Sequence, residues 1–195
     1  MRRRCRRPAI PRSTLAAIGC LPHSHSSGGS GTNNLPPKVP WPSAAIDAAS
    51  HGAIAFTTIY YEAYDEPTRR SIEIPMFYLP SAKVVWNGNT VGADAGSITS
   101  FLDAMPLSRH DLQTLDCHPL KPLPTAASTA PELLLTVTGS VLHGPTVMQF
   151  GDHAPSQPSE YPRKFREVFV LRPIESAEGM QPKYAIQSAN FRFIG

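Results

Sequence analysis

Cysteine is scarce in the 195-residue sequence, and acidic residues are missing from its beginning. The three cysteines, Cys5, Cys20 and Cys117, are odd in number and widely spaced. This pattern argues against a disulfide framework and is typical of proteins from a reducing compartment. No apolar run approaches the roughly 20 residues that a membrane-spanning helix needs, so the sequence predicts no membrane contact.

The missing acids divide the sequence into two parts of opposite charge. Residues 1–40 contain seven basic residues and no acid. The remaining chain has 11 basic residues against 15 acidic ones, a net charge of −4. A nucleic-acid-binding surface needs lysine and arginine clustered on one face, so we expect no direct, specific binding of nucleic acid by the folded part.

Residues 1–42 are predicted to form a disordered tail, because glycine, serine, asparagine and proline dominate them and no apolar period is sustained. The same segment is rich in arginine, contains serine and has no acid before Asp47. That composition is also typical of a mitochondrial transit peptide, so mitochondrial targeting stays open beside plain disorder. The folded domain is predicted to span 43–195.

Three helices are predicted in the first half of this domain. Apolar residues at three- and four-residue steps predict a helix over about 43–64, with Ser43 as its N-cap. Pro67 suits the first turn of a second, short helix. A third helix is predicted over about 94–105, because apolar residues recur there at helical spacing.

Strands dominate the second half. The pair Asn87-Gly88 lies between two β-rich runs, which predicts a hairpin. Helices followed by strands are typical of an α+β domain with a largely antiparallel sheet. A long, proline-rich loop over 144–162 is predicted to be a mobile excursion. Four further strands are predicted near 109–118, 132–143, 163–173 and 183–193.

Alternation divides each predicted strand into two faces. The face that we expect to cover the helices carries Leu133, Leu135, Val137, Val141, Phe165, Phe169, Leu171, Phe191 and Phe193. The opposite face is only partly polar, which favours burial under a partner chain, although strand propensity alone is an alternative explanation. A β-bulge would exchange the two faces beyond it. The predicted partner-facing residues are Leu134, Thr136, Val168, Val170, Tyr184, Ile186 and Arg192.

The sequence offers few candidates for catalysis. It contains no G-x-S-x-G nucleophile elbow and no phosphate loop between a strand and a helix. Asp65, Asp116 and His118 could serve acid–base chemistry, but Asp116 and His118 alternate with the core-facing Leu115 and Cys117. They are therefore expected on the outside of the domain. We expect no enzyme, no cofactor and no metal site.

Five segments resemble, in order and spacing, the nuclear transport factor 2-related export proteins. They are VVWNGNTV, LDCHP, LLTVTGSV, VFVLRP and YAIQSANFRF, and the resemblance covers about 43–194. It implies a nuclear transport factor 2-like cone, with three helices packed in a strongly bent, mainly antiparallel sheet. Two features depart from the family: the N-terminal extension and the length of the 144–162 loop.

The resemblance also implies a function. Family members of this type are non-enzymatic subunits that pair, sheet against sheet, with the nuclear transport factor 2-like domain of a large mRNA export receptor. Their complex acts in the nucleus, the cytoplasm and the nuclear pore, where it can meet FG-repeat nucleoporins. In the family, an arginine of the last strand pairs with a carboxylate of the large subunit, and Arg192 is the matching residue. The alternatives are a homodimeric carrier for Ran-GDP and a small-molecule enzyme of the same fold.

Overall fold

The computed structural model describes residues 41–120, 130–144, 161–174 and 183–194. Almost all of the predicted tail and most of the predicted 144–162 loop lie outside these residues, so the division into tail and domain stays a prediction. In chain order the elements are α1 (Ser43–Asp65), α2 (Pro67–Glu73), a 3-10 turn (Ile74–Phe77), β1 (Tyr78–Trp86), β2 (Asn89–Val91), α3 (Ala95–Ala104), β3 (Ser108–Pro119), β4 (Leu133–His143), β5 (Arg163–Ile174) and β6 (Lys183–Phe193).

The strands form one mixed sheet in the order β2-β1-β6-β5-β4-β3. Only β1 and β6 run parallel to each other, and the other neighbours described are antiparallel. The predicted α+β class with a mainly antiparallel sheet is therefore confirmed. Because β3, β4, β5 and β6 are long and adjacent, they provide the continuous surface on which the candidate site lies.

Local sequence accounts for the ends of the elements. Asn87 and Gly88 have φ angles of 45° and 91°, the positive values that a two-residue hairpin turn requires, so the predicted hairpin is confirmed. Pro67 begins α2, and the Asp94 carboxylate accepts a hydrogen bond from the Ser97 N–H at 2.9 Å to cap α3. The predicted Ser43 cap is wrong: the N-cap position of α1 is Pro42, which has no capping side chain.

The hydrophobic core lies between the helices and one side of the sheet, here called the helix-facing side. Phe56 and Tyr60 of α1 pack edge-on against Phe169 of β5, with ring centroids 5.3 and 5.2 Å apart. Phe165 of β5 stacks on Phe191 of β6 at 5.3 Å. Edge-on and stacked rings are the favourable geometries for aromatic pairs, so this cluster holds α1 against the middle of the sheet.

Candidate partner interface

The side of the sheet opposite the helices is here called the outer face. On β4, buried and half-buried residues alternate without interruption, from buried Leu133 to half-buried Leu142. Leu134 and Thr136 are half-buried on the outer face, as are Val168 and Val170 on β5. Residues that pair directly across β3, β4, β5 and β6 form rows on this face. Three of these rows are His118, Leu134, Val170 and Ser188; Asp116, Thr136, Val168 and Asn190; and Thr114, Thr138, Arg166 and Arg192.

The helices leave the outer face uncovered in the described part of the chain. Helix α1 packs on the helix-facing side through Phe56 and Tyr60, and α3 does so through Ile98 and Leu102. Leucine and valine in the centre of a face without a covering layer are typical of a surface that binds another protein. The predicted position of Leu134, Thr136, Val168 and Val170 on the side away from the helices is confirmed.

The structure contradicts the predicted position of Tyr184 and Ile186. Both lie in the core, with exposed fractions of 7% and 0%. The Tyr184 ring packs so tightly over Gly52 of α1 that a Cβ there would come within 2.4 Å of Tyr184 Cε2. The Tyr184 hydroxyl also donates a hydrogen bond to the Pro131 carbonyl at 3.3 Å.

A β-bulge in β6 causes this reversal. Val170 pairs with Ser188, but the next residue, Leu171, pairs with Ile186, so Gln187 is the extra residue. One inserted residue moves every side chain beyond it to the other face. The outer face of β6 therefore consists of Ser188, Asn190 and Arg192, and it is more polar than alternation predicts.

Arg192 lies where its neighbours predict. Phe191 is buried and Phe193 packs against the core, so Arg192 between them points to the outer face and is exposed. Its partner across the strand pair is Arg166, which is also exposed. The exposed Lys164 lies two residues before Arg166 on the same face. The β5–β6 side of the outer face is thus basic, whereas the β3 edge has mixed charge, with the exposed Asp111 and Asp116 beside the exposed Arg109.

A buried carboxyl group lies on the helix-facing side and was missed in the sequence analysis. Glu167 is 5% exposed, and the Tyr61 hydroxyl donates a hydrogen bond of 2.7 Å to Glu167 Oε2. Burial raises the pKa of Glu167 to about 8, against the opposing effect of the Tyr61 hydrogen bond. Alternation offered a way to find it, because Glu167 lies midway between the core residues Phe165 and Phe169.

Glu167 borders a small cavity of about 20 Å³. Its lining includes aromatic side chains and aliphatic ones; the aromatic side chains are those of Tyr60, Tyr64, Tyr78, Trp86, Phe101 and Phe191. The Tyr60 and Tyr78 hydroxyls are 3.1 Å apart, and the buried Tyr64 hydroxyl has no hydrogen-bond partner among the described residues. A cavity of this size is little more than the roughly 10–15 Å³ that one water molecule needs, whereas sites for small molecules measure hundreds of Å³.

Asp65, a catalytic candidate by sequence, belongs to a closed hydrogen-bond network. Its Oδ1 lies 2.7 Å from His110 Nδ1 and accepts a hydrogen bond from Ser108 Oγ at 2.9 Å. Burial tends to raise the pKa of Asp65. The hydrogen bonds from His110, the charge of His110 and the hydrogen bond from Ser108 together outweigh burial, so the pKa of Asp65 is lowered. Arg70 donates to Ser108 Oγ at 3.0 Å and to the Tyr64 carbonyl at 2.6 Å. The network ties α1, α2 and β3 together.

The other two catalytic candidates, Asp116 and His118, are exposed on the outer face, as predicted, while Leu115 is buried. Within residues 41–120, 130–144, 161–174 and 183–194, no group of three His, Cys, Asp or Glu side chains could hold a metal ion. Among the same residues, no helix has the length and apolar character needed to cross a membrane.

Comparison with known proteins shows close relatives in one family. The chain is 36% identical over 140 residues to an NTF2-related export protein from Caenorhabditis elegans, which covers 71% of this chain and 83% of that protein. It is 35% identical over 97 residues to human NTF2-related export protein 2, covering 49% of this chain and 63% of the human protein. The chain thus spans less than two thirds of the human relative. No protein-family model matches it.

Solved structures share the fold. A chain from the complex of the Chaetomium thermophilum Mex67 NTF2-like domain with Mtr2 matches with a TM-score of 0.58 at 20% identity, covering 75% of this chain and 99% of that one. A structure of Mtr2 matches with a TM-score of 0.56 at 19% identity, covering 75% of this chain and 99% of that one. Ntf2 from Cryptosporidium parvum matches with a TM-score of 0.51 at 17% identity, covering 75% of this chain and 94% of that one. These similarities identify the NTF2-like fold.

Proposed function

Because this chain belongs to the family of NTF2-related export proteins, we propose that it is a non-enzymatic subunit of a heterodimer that supports mRNA export from the nucleus. The proposed partner is a large export receptor, bound through its own NTF2-like domain. Solved complexes in which Mtr2 is bound to the Mex67 NTF2-like domain support this pairing, since this chain has the same fold. The family membership predicted from the motifs is confirmed.

The observation that carries the proposal is the outer face of β4 and β5, which no described segment of the chain covers. Leu134, Val168 and Val170 are half-buried in the isolated chain; Leu134 and Val170 form one row, and Thr136 and Val168 form the next. Complete burial of an exposed aliphatic side chain contributes about 1.5–3 kcal/mol, so covering these half-buried side chains would add a fraction of that value for each. A second sheet of similar curvature is the partner surface that suits a broad β-face.

The size of the internal cavity supports the non-enzymatic part of the proposal. Glu167 is a buried carboxyl group of the kind that enzymes of this fold class could use as a base. However, the cavity that Glu167 borders measures only about 20 Å³, which leaves no room for an organic substrate. We therefore assign Glu167 to the stability of the domain.

The proposed place of action follows from the proposed function. A subunit of an export receptor is expected in the nucleus, the cytoplasm and the nuclear pore. Contact with FG-repeat nucleoporins is expected through the complex with the large subunit. Mitochondrial targeting by the N-terminal segment remains the alternative, and the localisation of full-length and 43–195 forms in cells would separate the two.

Co-purification with the NTF2-like domain of the large receptor tests the proposal. We expect the wild-type chain to form a 1:1 complex, and Val168→Glu to weaken it at least about a hundredfold, because a charged carboxylate in the apolar patch would lose its hydration on binding. Thr58→Glu, on the exposed side of α1, is the matched control and should bind like the wild type.

Two outcomes would contradict the proposal. One is wild-type affinity of the Val168→Glu variant for the receptor domain. The other is a stable symmetric homodimer of the isolated chain in light scattering, combined with no binding of the receptor domain. That second result would favour the homodimeric carrier for Ran-GDP.

A further inference from the structure

Two arginine side chains lie directly opposite each other on the outer face. Arg166 of β5 pairs with Arg192 of β6, and both are exposed. The Cβ atoms of such directly opposed residues are about 4.5–5.5 Å apart, so rotation about the side-chain bonds lets both guanidinium groups reach one point above the sheet. In the free chain Arg192 extends towards the β1–β2 turn, where its Nη2 lies 3.9 Å from the position of a Cβ on Gly88. Like charges in this arrangement repel and destabilise the pair of strands.

Neither arginine is neutralised within the described part of the chain. No carboxylate there lies within 4.0 Å of Arg166 or Arg192, and the neighbouring Glu167 points into the core towards Tyr61. Arg172 differs from both: it is on the same strand and face as Arg166, and its Nε lies 3.5 Å from Glu132 Oε1. An arginine on this face can therefore be paired from within the chain, whereas no carboxylate among the described residues pairs with Arg166 or Arg192.

We propose that Arg166 and Arg192 together bind a single carboxylate of the partner, as a two-guanidinium site. The inference rests on the proposed heterodimer and deepens it, because it adds Arg166 to the Arg192 contact that the family resemblance implies. A carboxylate between the two groups would relieve their repulsion and accept hydrogen bonds from both planar donors. The pair would then select a partner by the position of one acidic residue.

The surroundings favour a protein carboxylate over a nucleic-acid phosphate. The next row of the face contains the half-buried Thr136 and Val168, which suit a packed protein interface. Lys164 lies on the same face two residues before Arg166, but the arginine row itself continues across β4 and β3 with the uncharged Thr138 and Thr114, where a phosphate-binding surface would continue with cations. Arginine in the interior of a protein interface often contributes much of the binding free energy.

The test measures binding of full-length variants to the receptor's NTF2-like domain. We expect Arg192→Gln to weaken binding by about a hundredfold or more and Arg166→Gln by about tenfold or more, because each leaves the partner's carboxylate less well paired. Arg172→Gln, the control with its own Glu132, should change affinity by less than about threefold. The unfolding midpoint of free Arg166→Gln should be no lower than that of the wild type, because a repulsion is removed.

Partner variants then identify the carboxylate. Each acidic residue on the partner's sheet face is replaced by its amide in a double-mutant cycle with both arginine variants. We expect one acidic partner residue to couple to both Arg166 and Arg192. When that residue is an amide, Arg166→Gln should weaken binding by less than about threefold.

Three results would overturn the inference. They are unchanged binding of Arg166→Gln, a loss from Arg166→Gln that is the same in every partner variant, and a loss of RNA binding with receptor binding unchanged. If the wild-type chain itself does not bind the receptor domain, the proposed function fails first. The two-guanidinium site is contradicted only if the wild-type chain binds the receptor domain and one of the three results is then obtained.

Discussion

The two faces of strand β5 differ in how completely the chain itself satisfies them. On the helix-facing side, the Glu167 carboxyl group receives a hydrogen bond from Tyr61 and is enclosed by aromatic rings. On the outer face, its sequence neighbour Arg166 is exposed opposite another arginine and has no ion-pair partner in the described chain. Two adjacent residues thus differ: the side chain of Glu167 is paired within the chain, whereas that of Arg166 has no ion-pair partner among the described residues.

This difference distinguishes polar groups that stabilise the fold from polar groups that are available to bind a partner. A buried polar group that is hydrogen-bonded inside the chain serves the fold, because leaving it unpaired would destabilise the native state. On the outer face, in contrast, Arg166 and Arg192 are opposed like charges, and half-buried valine and leucine side chains are not covered by any described segment. Their presence on the outer face supports a role in binding, and the following experiments test the contrast from the larger expected effects to the smaller.

The largest effect is expected from the pH dependence of Glu167. The raised pKa of about 8 means that the folded chain retains a proton that the unfolded chain, with its pKa near 4.5, releases. Stability therefore falls as pH rises between these values and levels off above about pH 8. Relative to Glu167→Gln, whose side chain does not titrate, the wild type should lose about 3–4 kcal/mol between pH 5 and pH 8.

Urea unfolding of both forms at each pH measures this difference. Asp65 and the other titrating groups are present in both proteins and cancel in the comparison. A difference that stays constant from pH 5 to pH 8 would show that Glu167 ionises normally, and the contrast between the two faces would then be wrong.

The next effect tests the bulge in β6. Ile186 is fully buried, so Ile186→Ala should destabilise the fold by about 3 kcal/mol through lost burial and a new cavity. Val170→Ala, on the half-buried outer face, should cost less than about 1 kcal/mol in the free chain but weaken the proposed heterodimer. Denaturant unfolding and receptor binding measure the two changes. Similar stability losses for both variants would place Ile186 on the outer face, as alternation alone predicts.

The smallest effect concerns the Tyr64 hydroxyl. Since this buried group has no partner among the described residues, Tyr64→Phe should raise the free energy of unfolding by about 1 kcal/mol. Tyr61→Phe is the matched control and should lower it by a similar or larger amount, because it leaves Glu167 without its donor. Thermal or urea unfolding decides the sign, and destabilisation by both variants would show that the Tyr64 hydroxyl is hydrogen-bonded in solution.

Much of the fold was predictable because it depends on local patterns. The predicted strands near 109–118 and 132–143 agree with β3 and β4 within one or two residues, since turn residues and alternation are encoded locally. The Asn87-Gly88 turn likewise requires only the freedom of these residues to adopt positive φ angles. The site was predicted in part: Leu134, Thr136, Val168, Val170 and Arg192 lie on the outer face, and their role in partner binding stays a proposal.

By itself, the sequence determined the type and order of the elements, the faces of β4 and β5, and the outward direction of Arg192, because each depends on residues only a few positions apart. Only the tertiary structure decided that Tyr184 and Ile186 are buried, that Glu167 meets Tyr61, and that Arg166 faces Arg192. These facts depend on the bulge at Gln187 and on the register between strands that are distant in sequence. Packing between such strands sets the register, and no local pattern contains it.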